Sequence, residues 1–215
     1  MPVKPKRKYA SPRRAGQAAG TREAVIVAAR AQFIDAGWQG TTIAGIARAA
    51  GVSSETVYAV FGTKQAVLLA VVEHAVRRAR PNVPLLDQDG PQAVAAAVDQ
   101  RTQIGLFATD IAGVLGNVAE LIAVVRTAAA TDPALQALYA SLHEGRRRNL
   151  EFVARALLKT GLLRPGLDAP AATATLWRLA SPELFLLMTQ VEGLSADRYA
   201  AWLAGTLEAT LLPDG

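Results

Sequence analysis

The sequence predicts an all-α protein made of a basic arm, a small helix-turn-helix domain and a larger helical domain. Three observations support this. Apolar residues recur at steps of three and four along most of the chain, while β-branched alternation bounded by turns is absent. Capping signals punctuate that pattern, notably Thr21, Ser53, "TDP" at 131–133 and "GLS" at 193–195. A segment with three prolines and two acids, "PNVPLLDQDGP" at 81–91, reads as a linker between front and rear.

The elements follow in chain order. Residues 1–20 hold six Lys/Arg, three prolines and no acid or apolar period, so they read as a disordered basic arm. Residues 21–80 form the helix-turn-helix domain with a linking helix. Thr21 caps the first helix, Ile26, Ala29 and Phe33 recur on one face, and Gly37 stops it. A short helix with Ile43, Ile46 and Ala47 follows Thr42 and ends at Gly51. A third begins near Ser53, and a fourth runs from Thr63 towards Pro81 with Leu68, Val71 and Val72 inward. Residues 81–215 form the larger domain, with helices expected at 92–108, 111–130, 133–160, 170–190 and 195–212.

Charge divides the same way. Residues 1–80 hold 13 Lys/Arg against 4 Asp/Glu, a net +9; residues 81–215 hold 10 against 14, a net −4. Only the front is suited to a polyanion. Cysteine is absent, which excludes disulfides and thiolate metal sites and fits a reducing compartment. The longest stretch free of Asp, Glu, Lys and Arg is Ala36–Ala47, 12 residues, too short to span a bilayer. No apolar run follows the basic N-terminus as in a secretory signal, so the expected location is cytoplasmic, with no membrane partner.

The stretch "AGVSSETVYAVFGTK" at 50–64 carries the chemistry. Two short helices joined by a tight turn with glycine have helix-turn-helix geometry, and Gly51 supplies the left-handed residue at the turn. Val52 and Val57 face inward with Ile46, which leaves Ser54, Glu55, Thr56 and Tyr58 outward. Hydroxyls and amides at a helix N-terminus suit phosphate oxygens, and nearby side chains reach base edges. Thr42 occupies the same place on the preceding helix, and Lys64 adds a charge at the far end. In the arm, Lys4, Lys6, Arg7, Lys8, Arg13 and Arg14 suit phosphates or the minor groove.

Residues 37–73, "GWQGTTIAGIARAAGVSSETVYAVFGTKQAVLLAVVE", resemble the N-terminal domain of TetR-family transcriptional regulators. The resemblance rests on Gly40, Thr42, Ile46, Ala47, Ala50-Gly51-Val52-Ser53, Thr56, Tyr58, Phe61, Lys64 and a following leucine. It implies a homodimer that binds a double-stranded DNA operator and a C-terminal domain that binds a small effector and releases the DNA. It implies further that Thr42, Tyr58 and Lys64 touch phosphates while Ser54, Glu55 and Ala59 lie near bases. With Ser53, Thr56, Arg13 and Arg14 these make up the expected DNA-binding set. Ala59 and Val60 stand where many such helices carry polar side chains, which shifts recognition to the flanks. Residues 162–212 look like the C-terminal helices of actinobacterial members.

No metal site or cofactor is expected. His74 and His143 are far apart with no paired spacing, and no GxSxG, P-loop or dinucleotide fingerprint supports an enzyme. Leu135, Tyr139, Leu142, Arg146, Leu150, Val153 and Leu157 form one stripe, and a charge inside it is costly unless paired. Arg146 therefore snorkels, pairs with an acid, or anchors an anionic group of the effector. His74, Phe107, Tyr139, Arg146 and Trp177 are the candidate ligand-binding residues, with Phe185 read as core. Asp110, Gly113, Asn117 and Glu120 share one helical face, read as solvated.

Helices 170–190 and 195–212 carry few charges and are apolar on more than one face, so a two-fold copy is expected to cover one side. The expected interface uses Trp177, Leu184, Leu203 and Leu207, with Ala201, Ala204 and Gly205 allowing close approach, and Leu203→Arg or Leu207→Arg splitting it. Pro182 restarts the earlier helix with Ser181 as cap. Three functions fit: a ligand-responsive homodimeric repressor, a DNA-binding regulator without an effector, and a helical small-molecule-binding protein.

Overall fold

The computed structural model describes residues 12–213 apart from 79 and 81, with side chains from residue 16 onward. The described residues form ten α-helices and no strand. They are α1 (Pro12–Gly40), α2 (Ile43–Ala50), α3 (Ser54–Phe61), α4 (Lys64–Arg77), α5 (Asp89–Ala96), α6 (Gln100–Ala129), α7 (Pro133–Thr160), α8 (Ala169–Leu179), α9 (Pro182–Leu186) and α10 (Ala196–Leu211). A 3-10 turn at Leu85–Asp87 precedes α5, and a π turn at Leu187–Val191 follows α9. The chain divides into two compact units between Val71 and Val72, inside α4 and not at the proline-rich segment.

In the N-terminal unit, α1 packs on α2 and α2 on α3. Its core is Val25, Ala29, Phe33, Ile46, Val57, Val67 and Leu68, each wholly buried. The first helix begins at Pro12, before the expected Thr21: proline suits a first helical position, and the alanines of 15–19 favour helix over the disorder expected to residue 20. Residues 1–11 lie outside the described residues. Gly37 interrupts α1 with φ 66° and ψ −171°, a conformation that a side chain disfavours, so the regular helix does stop there. Gly51 caps α2 in the left-handed conformation (φ 69°, ψ 29°), its amide reaching the Ala47 and Arg48 carbonyls.

The C-terminal unit wraps around α6, which packs against α5, α7, α9 and α10. By length and composition α6 could cross a membrane, but half of its most apolar stretch is buried here as the central core helix. The expected break at 108–111 is absent. Thr109 instead bonds back to the Gly105 carbonyl (3.0 Å) inside the helix. The break falls at Asp99, whose carboxylate accepts from the Thr102 amide (2.8 Å) and hydroxyl (2.6 Å). Asp132, Ser181 and Ser195 cap α7, α9 and α10 as expected.

Two expectations fail by burial. Leu203 and Leu207 are wholly buried in their own unit's core, so neither is presented to a second copy. The face of Asp110, Gly113, Asn117 and Glu120 is only partly solvated: Asp110 pairs with Arg78, and Glu120 accepts from Gln190 at 2.9 Å.

Candidate nucleic-acid interface and polar cluster

The N-terminal unit presents α3 by its capping chemistry. Ser53 caps α3, its Oγ accepting from the Thr56 amide at 3.2 Å and lying 3.1 Å from the Thr56 hydroxyl. Thr42 caps α2 by accepting from the Gly45 amide at 3.0 Å. Val57 anchors α3 in the core, which turns Glu55, Tyr58, Ala59 and Val60 to solvent, with Tyr58 53% exposed. Ser54, Thr56 and Val52 are half-buried. The Glu55 carboxyl is held below the usual carboxylate range by hydrogen bonds from its own backbone amide and from the Ser53 hydroxyl. A carboxylate in that first turn repels phosphate but accepts from the exocyclic amine of cytosine.

Lys64 is engaged within its own unit. Its ammonium donates to the carbonyls of Trp38 (2.7 Å) and Thr41 (2.8 Å) and lies 4.0 Å from the centroid of the Trp38 ring. Trp38 in turn stacks on Phe33 with centroids 6.0 Å apart. Thr41, not singled out in the sequence, is buried, and its hydroxyl lies 2.7 Å from the Gly37 carbonyl and 2.9 Å from that of Gln32. Together these groups fix the connection from α1 to α2. The side chains of Arg13 and Arg14 lie outside the described residues.

The C-terminal unit gathers a second set of polar groups where α7, α8 and α9 carry them. Tyr139 donates to Glu183 Oε1 at 2.8 Å, and His143 Nε2 lies 3.8 Å from the same oxygen. The His143 ring makes edge contacts with Tyr139 (4.4 Å) and Trp177 (5.6 Å). Arg146 donates through Nη2 to the Trp177 carbonyl, and its guanidinium lies 5.2 Å from that residue's ring centroid. Burial lowers the Arg146 pKa to about 10 despite Glu183 nearby. Burial and the Glu183 hydrogen bond push Tyr139 up to about 12. Burial, reinforced by Arg146, holds His143 below its ordinary value.

Residues 25–71 match the family model for bacterial regulatory proteins of the tetR family. The N-terminal unit therefore carries a domain of the tetR family. No curated protein matches the sequence. Among solved structures, a candidate TetR-family transcriptional regulator from a Rhodococcus species is similar at 18% identity, covering 89% of this chain and 98% of that one, with TM-score 0.71. FadR from Bacillus subtilis in complex with stearoyl-CoA is similar at 14% identity, 86% and 96% coverage, and TM-score 0.68. NalD, the secondary repressor of the MexAB-OprM multidrug efflux pump in Pseudomonas aeruginosa, is similar at 20% identity, 92% and 99% coverage, and TM-score 0.68. These likenesses establish the fold across both units and nothing about a ligand.

Of the candidate ligand residues, the structure brings Tyr139, Arg146 and Trp177 together. Phe107 is buried in the core, and His74 lies on α4. His143 and Glu183 complete the cluster. His143 was legible in principle, because Tyr139, His143 and Arg146 step by four and three along α7. Glu183 was not, since it arrives from another helix.

His143 gives a pH dependence with a definite sign. Its folded-state pKa lies below 6.5, so the unfolded chain takes up the proton first as pH falls. Stability is fully present above that value and declines as pH drops below about 6.5. His143→Gln should flatten the fall in melting temperature between pH 7.5 and 5.5. An identical slope in both proteins would show that other groups set it.

Proposed function

We propose that this protein is a TetR-family regulator, a homodimeric repressor in the cytoplasm released from its operator by a small effector held in the C-terminal unit. The exposed face of α3 carries the proposal. It offers Glu55 and Tyr58 beside the capped ends of two short helices, in a front part of the sequence (residues 1–80) that carries a net charge of +9. Ser53, Ser54, Thr56 and Thr42 line the same region, and the arm with Arg13 and Arg14 extends the contact. The bound stearoyl-CoA of FadR and the repressor role of NalD support the effector and the sign of regulation. A second copy fits α10, whose exposed Ala201, Gly205 and Ala209 lie four residues apart on a helix that touches the turn carrying the exposed Leu187 and Val191.

Genomic footprinting locates the operator, and fluorescence anisotropy on that DNA tests the interface. Tyr58→Phe removes one exposed hydroxyl without touching the core, so affinity should fall by about 1 kcal/mol on every operator variant alike. Unchanged binding would remove Tyr58 from the interface. A chain that footprints nowhere would overturn the reading.

A further inference from the structure

The Tyr139–Glu183 cluster holds more hydrogen-bonding capacity than the fold uses. Arg146 Nε and Nη1, Trp177 Nε1 and both His143 ring nitrogens are inaccessible to solvent and have no hydrogen-bond partner among the described residues, His143 Nε2 lying only within ion-pair reach of Glu183 at 3.8 Å. Arg146 makes no ion pair among the described residues, although buried guanidinium groups are normally paired. The one nearby carboxylate, Glu183, is engaged by Tyr139. Such orphaned groups carry a cost that a fold sheds unless they meet something else.

Their chemistry is lopsided. The Arg146 Nε–H, the Nη1 hydrogens, the indole N–H and one imidazole nitrogen are donors, and only the other imidazole nitrogen accepts. A cation such as a quaternary ammonium would leave every one of those donors unmet, with the guanidinium beside it. A dianion would face Glu183. A monoanion with two acceptor oxygens meets the guanidinium and has a second oxygen for the indole or imidazole. The helices that carry these donors, α7 and α8, also contribute apolar residues to the core, among them Leu150 and Leu176.

The geometry points to an effector that is an organic monocarboxylate on an apolar body, its carboxylate held by Arg146, Trp177 Nε1 and His143. This rests on the effector reading above and names the ligand class. Because binding is measured without DNA, its failure leaves operator binding, and release by other compounds, standing.

The experiment is calorimetry on the full chain with sodium benzoate, choline chloride and inorganic phosphate as separate probes. Benzoate should bind, with choline and phosphate at least about tenfold weaker, since loss of a charge-assisted pair costs a factor of that order. Arg146→Gln should weaken benzoate by about tenfold or more, and Trp177→Phe, which keeps the ring packing, by several-fold. Circular dichroism establishes that each variant is folded, and Trp177→Phe serves alone if Arg146→Gln is not. Benzoate binding should also take up protons near pH 6.5, because an anion beside His143 favours its charged form. Absence of benzoate binding at millimolar concentration, preference for choline or phosphate, or folded variants that bind like wild type would each overturn the assignment.

Discussion

Leu203→Arg is expected to unfold the C-terminal unit, whereas Ala201→Arg on the same helix leaves it folded. Leu203 is wholly buried and belongs to the core built by α5 to α10. Truncating such a leucine to alanine costs about 2–5 kcal/mol, and arginine adds a charge inside an apolar cluster. The sum is comparable to the whole stability of a domain, about 5–15 kcal/mol. Ala201 is exposed two positions away, so a long side chain there meets solvent in the single chain. In the proposed dimer it meets the second copy instead. Ala201→Arg should therefore keep its helical circular dichroism and melting transition while light scattering shows the mass halved. Leu203→Arg should lose the transition itself. A folded Leu203→Arg monomer would mean that this leucine leaves its own core to pair with another chain.

The same contrast marks what the sequence could disclose. Periodicity identified α10 as apolar on several sides, but it cannot say which side its own unit consumes. Leu203 and Leu207 pack inward, while the small residues Ala201 and Gly205 face out. Local signals were legible wherever one short-range bond decides the structure. Ser53, Thr42, Asp132, Ser181 and Ser195 all cap where expected, and Gly51 adopts the left-handed turn. The expected break at 108–111 does not form, and Thr109 bonds back within the helix to the Gly105 carbonyl. Long-range pairing was the illegible part. Arg146 was recognisable as a charge out of place, but its carbonyl partner on α8 and the Tyr139–Glu183 bond join residues 31 and 44 positions apart.

Lys64 is the sharpest case, and Lys64→Met should destabilise the N-terminal unit and weaken DNA binding with no change in salt dependence. The resemblance places this lysine on phosphate. The structure puts its ammonium on the Trp38 and Thr41 carbonyls at 2.7 and 2.8 Å and against the Trp38 ring. Both carbonyls lie just past the left-handed Gly37, where the chain leaves α1 and no helical amide returns to them in register. Charge-assisted bonds of this kind contribute about 1.5–3 kcal/mol each, and the cation–π contact about 0.5–1 more. Partial exposure brings the expected loss down to about 2–4 kcal/mol. A unit this small has little stability in reserve, so that loss should appear as a markedly lower melting temperature. Methionine keeps the stem and its packing, which isolates the ammonium. If Lys64 instead neutralised a phosphate, the melting temperature would hold. The slope of log affinity against log salt would then fall by about 0.9. A clamp predicts the opposite pair of results: lost stability, an unchanged slope, and affinity recovered on cooling as the folded fraction returns.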